Sequence, residues 1–299
     1  MNMLKITDLC KRFGDKEVLR GLDLAVPENS IFGFVGKNGS GKTTTMKAVL
    51  GLLRADSGEI TVNGERVTFG QTNTNKYIGY LPDVPEFYSF MTAPEYLRFC
   101  GEVTGVERGE LDVRISELLS LVGLSDEAHR IKGFSRGMKQ RLGIAQALLN
   151  KPKLLICDEP TSALDPVGRR EILDILLAAR ERTTVLFSTH ILSDVERICT
   201  DVAFLNNGKI EIQGKLSDIK GKYRKNEFVI EAEYPSVIEA LCDNFKKMKR
   251  ADGDKLVFDE ADHLLSEVLR FVADRNMSII KIERKEASLE DLFMEVTDK

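Results

Sequence analysis

The feature that most constrains this chain is an apolar run, Ile31-Phe-Gly-Phe-Val35, that passes straight into Gly36-Lys-Asn-Gly-Ser-Gly-Lys-Thr43, with helical spacing over residues 42 to 53. Strand, glycine-rich turn and helix occur in the order that the pattern G-x-x-x-x-G-K-[ST] requires. Glycines at 36, 39 and 41 let the backbone N–H groups around Lys37, Asn38, Gly39, Ser40 and Gly41 turn inward on phosphates at a helix N-terminus. Lys42 brings a cation to the β- and γ-phosphates, Thr43 a hydroxyl to Mg²⁺, and Thr44 extends the same helix start. The alternative is a chance glycine turn, against which the flanking strand and helix count. Residues 36 to 44 are therefore the first candidate site, for a nucleotide such as ATP.

A fold of this kind needs a second strand that delivers a carboxylate. Leu154-Leu-Ile-Cys-Asp-Glu159 is an apolar run ending in two acids. Asp158 is placed to hold the Mg²⁺ shell and Glu159 to polarise the attacking water. A lone Asp-Glu reads as a solvated acidic turn; paired with the glycine loop it reads as chemistry.

The rest of the pattern supports an α/β fold. Leu4 to Leu9 and Leu19 to Val26 alternate apolar and polar positions, and Gly58 to Val62 and Tyr77 to Leu81 look like further strands. Between Pro94 and Leu149 the spacing turns helical, which predicts an inserted helical subdomain over about 84–150. Leu154 to Cys157, Thr183 to Phe187 and Val202 to Leu205 then alternate with helices, as in a parallel sheet. Lys220-Gly-Lys-Tyr-Arg-Lys225 is polar and basic, and we place a domain boundary between residues 220 and 221. Beyond it, strands at 227–233, 255–258 and 278–284 and helices at 235–244, 262–274 and from Ser288 predict a small α+β domain over 221–299.

Composition narrows the function. With 42% hydrophobic and 30% charged residues over 299 positions, the chain has material for a packed core and is neither disordered nor collagen-like. Its apolar runs fall short of the roughly 18 residues that a membrane span needs, and its start lacks a secretory pattern, so a cytosolic protein is expected. Forty-three basic against 47 acidic side chains give a net charge of −4, which argues against a nucleic-acid partner. Five scattered cysteines without a C-x-x-C pair are expected as reduced structural thiols, and Lys246-Lys-Met-Lys-Arg250 as a solvated face rather than a lipid or nucleic-acid patch. His129 and His263 stand alone, and no role is assigned to them.

Gly133-Phe-Ser-Arg-Gly-Met-Lys-Gln-Arg-Leu142, shortly before the acidic strand, resembles the signature motif of ATP-binding cassette ATPases, with Ser135, Arg136, Gly137 and Met138 at its Ser-Gly-Gly-Gln positions. Ser162-Ala-Leu-Asp165 resembles the family's D-loop, Ser188-Thr-His190 its H-loop, and Phe13 falls where the family has an adenine-stacking aromatic. Taken alone, His190 reads as an ordinary histidine and Phe13 as a core ring; the order of the motifs over residues 4 to about 215 changes both readings. The implied fold is a P-loop NTPase cassette with an antiparallel β subdomain and an inserted helical subdomain. The implied catalytic residues are Glu159, His190 and Lys42, with Ser135, Arg136, Gly137 and Asp165 serving a nucleotide shared with a second cassette. Ser135 would cap a helix over 136–149 and aim its N–H groups outward as a second phosphate site, and one phosphate site per partner makes a dimer, expected as a homodimer, part of the mechanism.

This sequence departs from the family pattern at Arg136, at Met138, and at Asp83 in Ile78-Gly-Tyr-Leu-Pro-Asp83, where the family usually has Gln. Arg136 either adds a cation near the γ-phosphate or points to solvent. Asp83 is carried as a third candidate Mg²⁺ ligand, approaching the metal only in the closed dimer. The aromatic stretch Val84 to Leu97 is either an internal packing patch or, as the family implies, the grip on a membrane subunit. The end, Ala287-Ser-Leu-Glu-Asp-Leu-Phe-Met-Glu295, resembles the tails of bacterial export cassettes of the drug, bacteriocin and lantibiotic-resistance group. The resemblance thus implies an ATPase subunit at the cytoplasmic face of the membrane, working through a separate transmembrane permease. A soluble cassette acting on ribosomes or DNA would show tandem cassettes or long coiled coils, and a module that holds ATP without turnover would not need Glu159 and His190.

Overall fold

The computed structural model describes residues 1–71, 73–222, 227–251, 255–259, 264–285 and 288–297. The chain opens with β1 (Asn2–Phe13) and β2 (Lys16–Pro27), whose alternation buries Leu4, Ile6 and Leu9 on one strand and Leu19, Leu22, Leu24 and Val26 on the other. β3 (Ile31–Val35) is buried at every position and leads into α1 (Lys42–Val49). β4 (Ser57–Val62), β5 (Glu65–Arg66) and β6 (Ile78–Leu81) follow. Three helices without an intervening strand, α2 (Ala93–Val103), α3 (Arg108–Leu121) and α4 (Arg136–Leu148), form the expected helical insertion. The chain then alternates through β7 (Leu154–Asp158), α5 (Pro166–Ala179), β8 (Thr184–Thr189), α6 (Leu192–Ile198) and β9 (Asp201–Asn206) to β10 (Lys209–Lys215).

These strands make two sheets. One is antiparallel, in the order β2-β1-β4-β5; the other has the order β10-β9-β3-β8-β7-β6 and is parallel except where β10 runs against β9. Every residue of β3, β7 and β8 is buried, as in a sheet covered on both faces. The helix expected within 42–53, ending near Gly51, runs to Val49, with Leu50 as its C-cap and Gly51 at φ 69°, and Tyr77 lies in a 3₁₀ turn ahead of β6. β10 was not expected. It is an edge strand that half-buries Ile210 and Ile212 between exposed Lys209, Glu211 and Gln213, too few apolar positions for a clear signal.

The chain divides into two compact units, Met1–Leu216 and Ser217–Asp298. α7 (Leu216–Lys222) covers the start of the basic stretch 220–225, whose residues 223–225 lie outside the described residues. In the second unit β11 (Glu227–Ala232), α8 (Pro235–Asn244), β12 (Lys249–Arg250), β13 (Lys255–Asp259), α9 (Leu264–Asp274), β14 (Ile279–Arg284) and α10 (Leu289–Thr297) follow the expected alternation, with β12 added. Its antiparallel sheet, β12-β13-β11-β14, packs Ile230, Leu256 and Phe258 with Ile238 and Leu241 of α8 and Leu264 and Val268 of α9. Lys249 and Arg250 are exposed, as expected of a solvated face; His263, Ala287 and the expected start of the helix at 262 lie outside the described residues. Among the described residues no helix is long and apolar enough to cross a membrane.

Candidate functional site

β3, β7 and β8 run side by side and end at one level, with Val35 opposite Thr189 and Asp158 opposite Ser188. Ligands of parallel sheets gather at such carboxyl ends. The turn after β3 admits only glycine at two points: a Cβ on Gly36 would lie 2.5 Å from Ser40 Oγ and 2.8 Å from the Leu205 carbonyl, and Gly41, at φ 115°, would meet Leu19 Cδ2 at 2.8 Å. α1 starts with no side-chain cap and no acid in its own first turn, so no side chain of the helix itself occupies the positive end of its dipole. Lys42 is only 6% exposed, and its ammonium donates to the carbonyls of Gly36 (2.7 Å) and Lys37 (3.3 Å). Ser40 Oγ is buried with no hydrogen-bond partner. A buried cation, an orphaned hydroxyl and an uncapped helix start make a fitting cradle for phosphate.

Asp158 sits at the end of β7 with both carboxylate oxygens engaged: Thr43 Oγ1 donates to Oδ2 at 2.8 Å and Ser188 Oγ to Oδ1 at 2.6 Å. Thr43 and Asp158 are thus an adjacent pair of hard oxygen donors. Among the described residues there is no cluster of three or more His, Cys, Asp or Glu able to hold a metal. This pair suits Mg²⁺, which takes one or two protein oxygens and fills its shell with phosphate and water. The neighbouring Cys157 is fully buried, and burial pushes its thiol up, which keeps it neutral and out of metal chemistry. Burial, with the charge of Asp158 added, pushes the Tyr80 hydroxyl up to about 12.

Glu159 leaves the strand at φ 50°, a left-handed backbone that a non-glycine residue keeps only when held there. Its N–H donates to Ser188 at the carbonyl (3.2 Å) and Oγ (3.1 Å). Its side chain lies between two cationic or titratable groups. His190 Nδ1 is 2.9 Å from Oε2, and Lys42 Nζ is 3.1 Å from Oε1, an ion pair without hydrogen-bond alignment. The structure therefore brings together Lys42, Thr43, Asp158, Glu159 and His190 from three separate segments of sequence.

The remaining candidates lie on other elements. Ser135 caps α4, accepting from the Met138 N–H at 3.2 Å; Asp165 caps α5, accepting from the Gly168 N–H at 3.0 Å. Gly137 has no close neighbour at its Cβ position. Asp83, expected to approach the metal only in the closed dimer, makes no hydrogen bond or ion pair with Thr43 or Asp158 among the described residues of the single chain; its Oδ1 accepts from Ser162 Oγ at 2.7 Å and lies 3.7 Å from the Arg136 guanidinium. Phe13 ends β1 with its ring 49% exposed and Lys11 Nζ 5.3 Å from its centroid, which excludes the core-ring reading. A cleft of about 490 Å³ beside the glycine loop is lined by Arg12, Lys16, Arg20, Lys37 and Ser40 among others.

Ser188 and Ser162 open the H-loop-like and D-loop-like stretches, but sequence reasoning assigned neither a hydrogen-bonding role. Ser188 carried a signal, a hydroxyl at the end of an apolar strand two residues before His190; Ser162 carried none, since its partner Asp83 is remote in sequence. The aromatics after Asp83 are partly packed against one another and partly exposed. Phe87 and Tyr96 pack edge to face at 5.1 Å and Tyr88 and Phe99 at 5.5 Å, while Tyr88 and Phe90 stay more than half exposed. They adjoin a cavity of about 460 Å³ lined by Asp83, Phe87, Ile131, Arg136 and Gln140.

Residues 19–162 match the family model described as ABC transporter, and residues 214–297 match that of the C-terminal domain of ATP-binding protein DrrA1-3-like. The uncharacterized ABC transporter ATP-binding protein YxlF of Bacillus subtilis is 39% identical over 98% of this chain and 99% of its own length. The bacitracin transport ATP-binding protein BcrA of Bacillus licheniformis is 35% identical over 98% of this chain and 97% of its own. A solved structure described as the ATP binding subunit of an ABC transporter is 32% identical with a TM-score of 0.66, covering 74% of this chain and 93% of that one.

Proposed function

This chain belongs to the ATP-binding cassette family, as an ATP-hydrolysing nucleotide-binding subunit of the kind that works with separate membrane permeases, and from that premise we propose that it powers a bacterial exporter of the drug, bacteriocin and lantibiotic-resistance group. The likeness to a bacitracin transport protein and to DrrA-type tails supports the export reading. Residues 1–220 would be the ATP-binding domain and 221–299 an accessory domain. The working position is at the cytoplasmic face of the membrane, held there through the permease, with the exposed aromatics around Tyr88 and Phe90 as the gripping surface and no nucleic acid involved.

The observation that carries the chemistry is the half-buried Glu159 carboxylate between Lys42 and His190. Lys42 and the N–H groups of residues 36 to 44 hold the phosphates, and Phe13 offers its exposed ring to the adenine. Mg²⁺ on Thr43 and Asp158 would neutralise charge on the β- and γ-phosphates. Glu159 orients water and takes its proton as the oxygen attacks the γ-phosphorus and the bond to the β–γ bridging oxygen breaks, releasing ADP. His190 holds the Glu159 carboxylate in place. Ser135, Arg136, Gly137 and Asp165 complete the site of a second copy, so that two ATP molecules lie between two cassettes. Phosphate release with Mg·ATP tests the reading: the wild type turns over and Lys42→Ala does not, whereas equal rates for both would refute it.

A further inference from the structure

Two residues at which this chain departs from its family's pattern, Asp83 and Arg136, face each other. Arg136 is the first residue of α4, where the helix dipole disfavours a cation, and the Asp83 carboxylate at 3.7 Å offsets that cost. Asp83 is itself fixed from behind, its carbonyl accepting from Gln140 Nε2 at 3.2 Å. The same Oδ1 that faces Arg136 accepts from Ser162 Oγ at 2.7 Å, and the Ser162 N–H donates to the Glu159 carbonyl at 3.1 Å. A chain of contacts therefore runs from Arg136 through Asp83 and Ser162 to Glu159.

The segment at its end needs holding. Glu159 and Ala163 both sit at left-handed φ, 50° and 53°, without being glycine. Ser188 pins the Glu159 N–H, and Thr161 Oγ1 donates at 2.7 Å to Asp194, whose other oxygen is held by Arg169 at 2.6 Å. Between those anchors, the side-chain pin on Ser162 is Asp83. A hydrogen bond to an ionised acceptor is among the stronger ones.

We propose that Asp83 is a positioning residue for hydrolysis: it holds Ser162, and through it the Glu159 loop, with Arg136 as its counter-ion. The inference rests on the ATPase reading above and needs no contact between Asp83 and metal.

The test compares the full chain with Ser162→Ala, Asp83→Ala, Asp83→Asn and the Asp83→Ala/Ser162→Ala double variant, measuring kcat and KM for ATP and amide hydrogen exchange over residues 159–164. Each Ala variant should lose about tenfold in kcat, the equivalent of about 1.4 kcal/mol, with KM unchanged. The double variant should be no slower than the slower single one, because both remove one bond. Asp83→Asn keeps an acceptor oxygen and should recover most of the rate. Exchange over 159–164 should quicken in both Ala variants whatever the turnover. Wild-type kcat in Ser162→Ala, multiplied losses in the double variant, a raised KM with intact kcat, or unchanged exchange would each overturn the assignment. Absence of wild-type turnover would instead strike the ATPase reading, and the exchange data would still decide the loop contact.

Discussion

Lys42 has two duties that draw on the same charge. It lies 3.1 Å from the half-buried Glu159 carboxylate, and in the proposed mechanism it is also the cation that an incoming phosphate meets. Glu159→Gln removes the base while keeping the side chain's shape and its His190 contact, so ATP affinity should persist while phosphate release falls about 10²- to 10⁴-fold. Equilibrium binding with a fluorescent ATP analogue, beside phosphate release, checks both halves. A second residue-scale prediction concerns pH. Burial raises Cys157 above its ordinary 9.0 and Tyr80 from 10.0 to about 12, so the folded chain holds both protons more tightly than the unfolded chain. Their stabilisation is complete below about pH 9 and is lost as pH rises through that range. Thermal melts at pH 8 and 10.5 should show a fall in Tm that is smaller in Cys157→Ala than in the wild type. The chemistry-bearing residues were legible in sequence because each stands in a motif whose residue types the reaction dictates. The partners of Ser188 and Ser162 were not, because Asp158 and Asp83 come beside them only through the register of separate strands and a loop crossing.

At the scale of elements, periodicity found every strand whose faces are strongly contrasted or fully buried, and the three misses, β5, β10 and β12, are edge strands with little apolar content. The end of α1 was legible through its glycine: residues 50 to 53 continue the apolar spacing, and the chain turns at Gly51 as expected. α2 shows what a firm start looks like. Thr92 accepts from the Glu95 N–H, the Glu95 carboxylate accepts from the Thr92 N–H at 2.8 Å, and Pro94 follows the cap. These bonds hold the Glu95 carboxyl below the usual carboxylate range. Thr92→Ala should lower stability by about 1 kcal/mol, measured by urea denaturation, while ATP affinity stays unchanged because no glycine-loop residue touches the cap.

At the scale of the molecule, the two units each carry a core of their own, which makes the second separable from nucleotide chemistry. A chain ending at residue 220 should fold and bind ATP with wild-type affinity; a folded truncation that fails to bind would place part of the nucleotide site in the accessory domain. The central claim is larger than binding. Ser135 and Arg136 open α4 toward solvent, with no hydrogen bond or ion pair to the 36–44 loop of the same chain among the described residues. The phosphate-binding role proposed for this helix start would require a second cassette. Light scattering on Glu159→Gln with Mg·ATP measures this directly, because the variant holds ATP without consuming it. The account predicts twice the monomer mass with ATP and the monomer mass without it; monomer alone at saturating ATP would contradict the shared site.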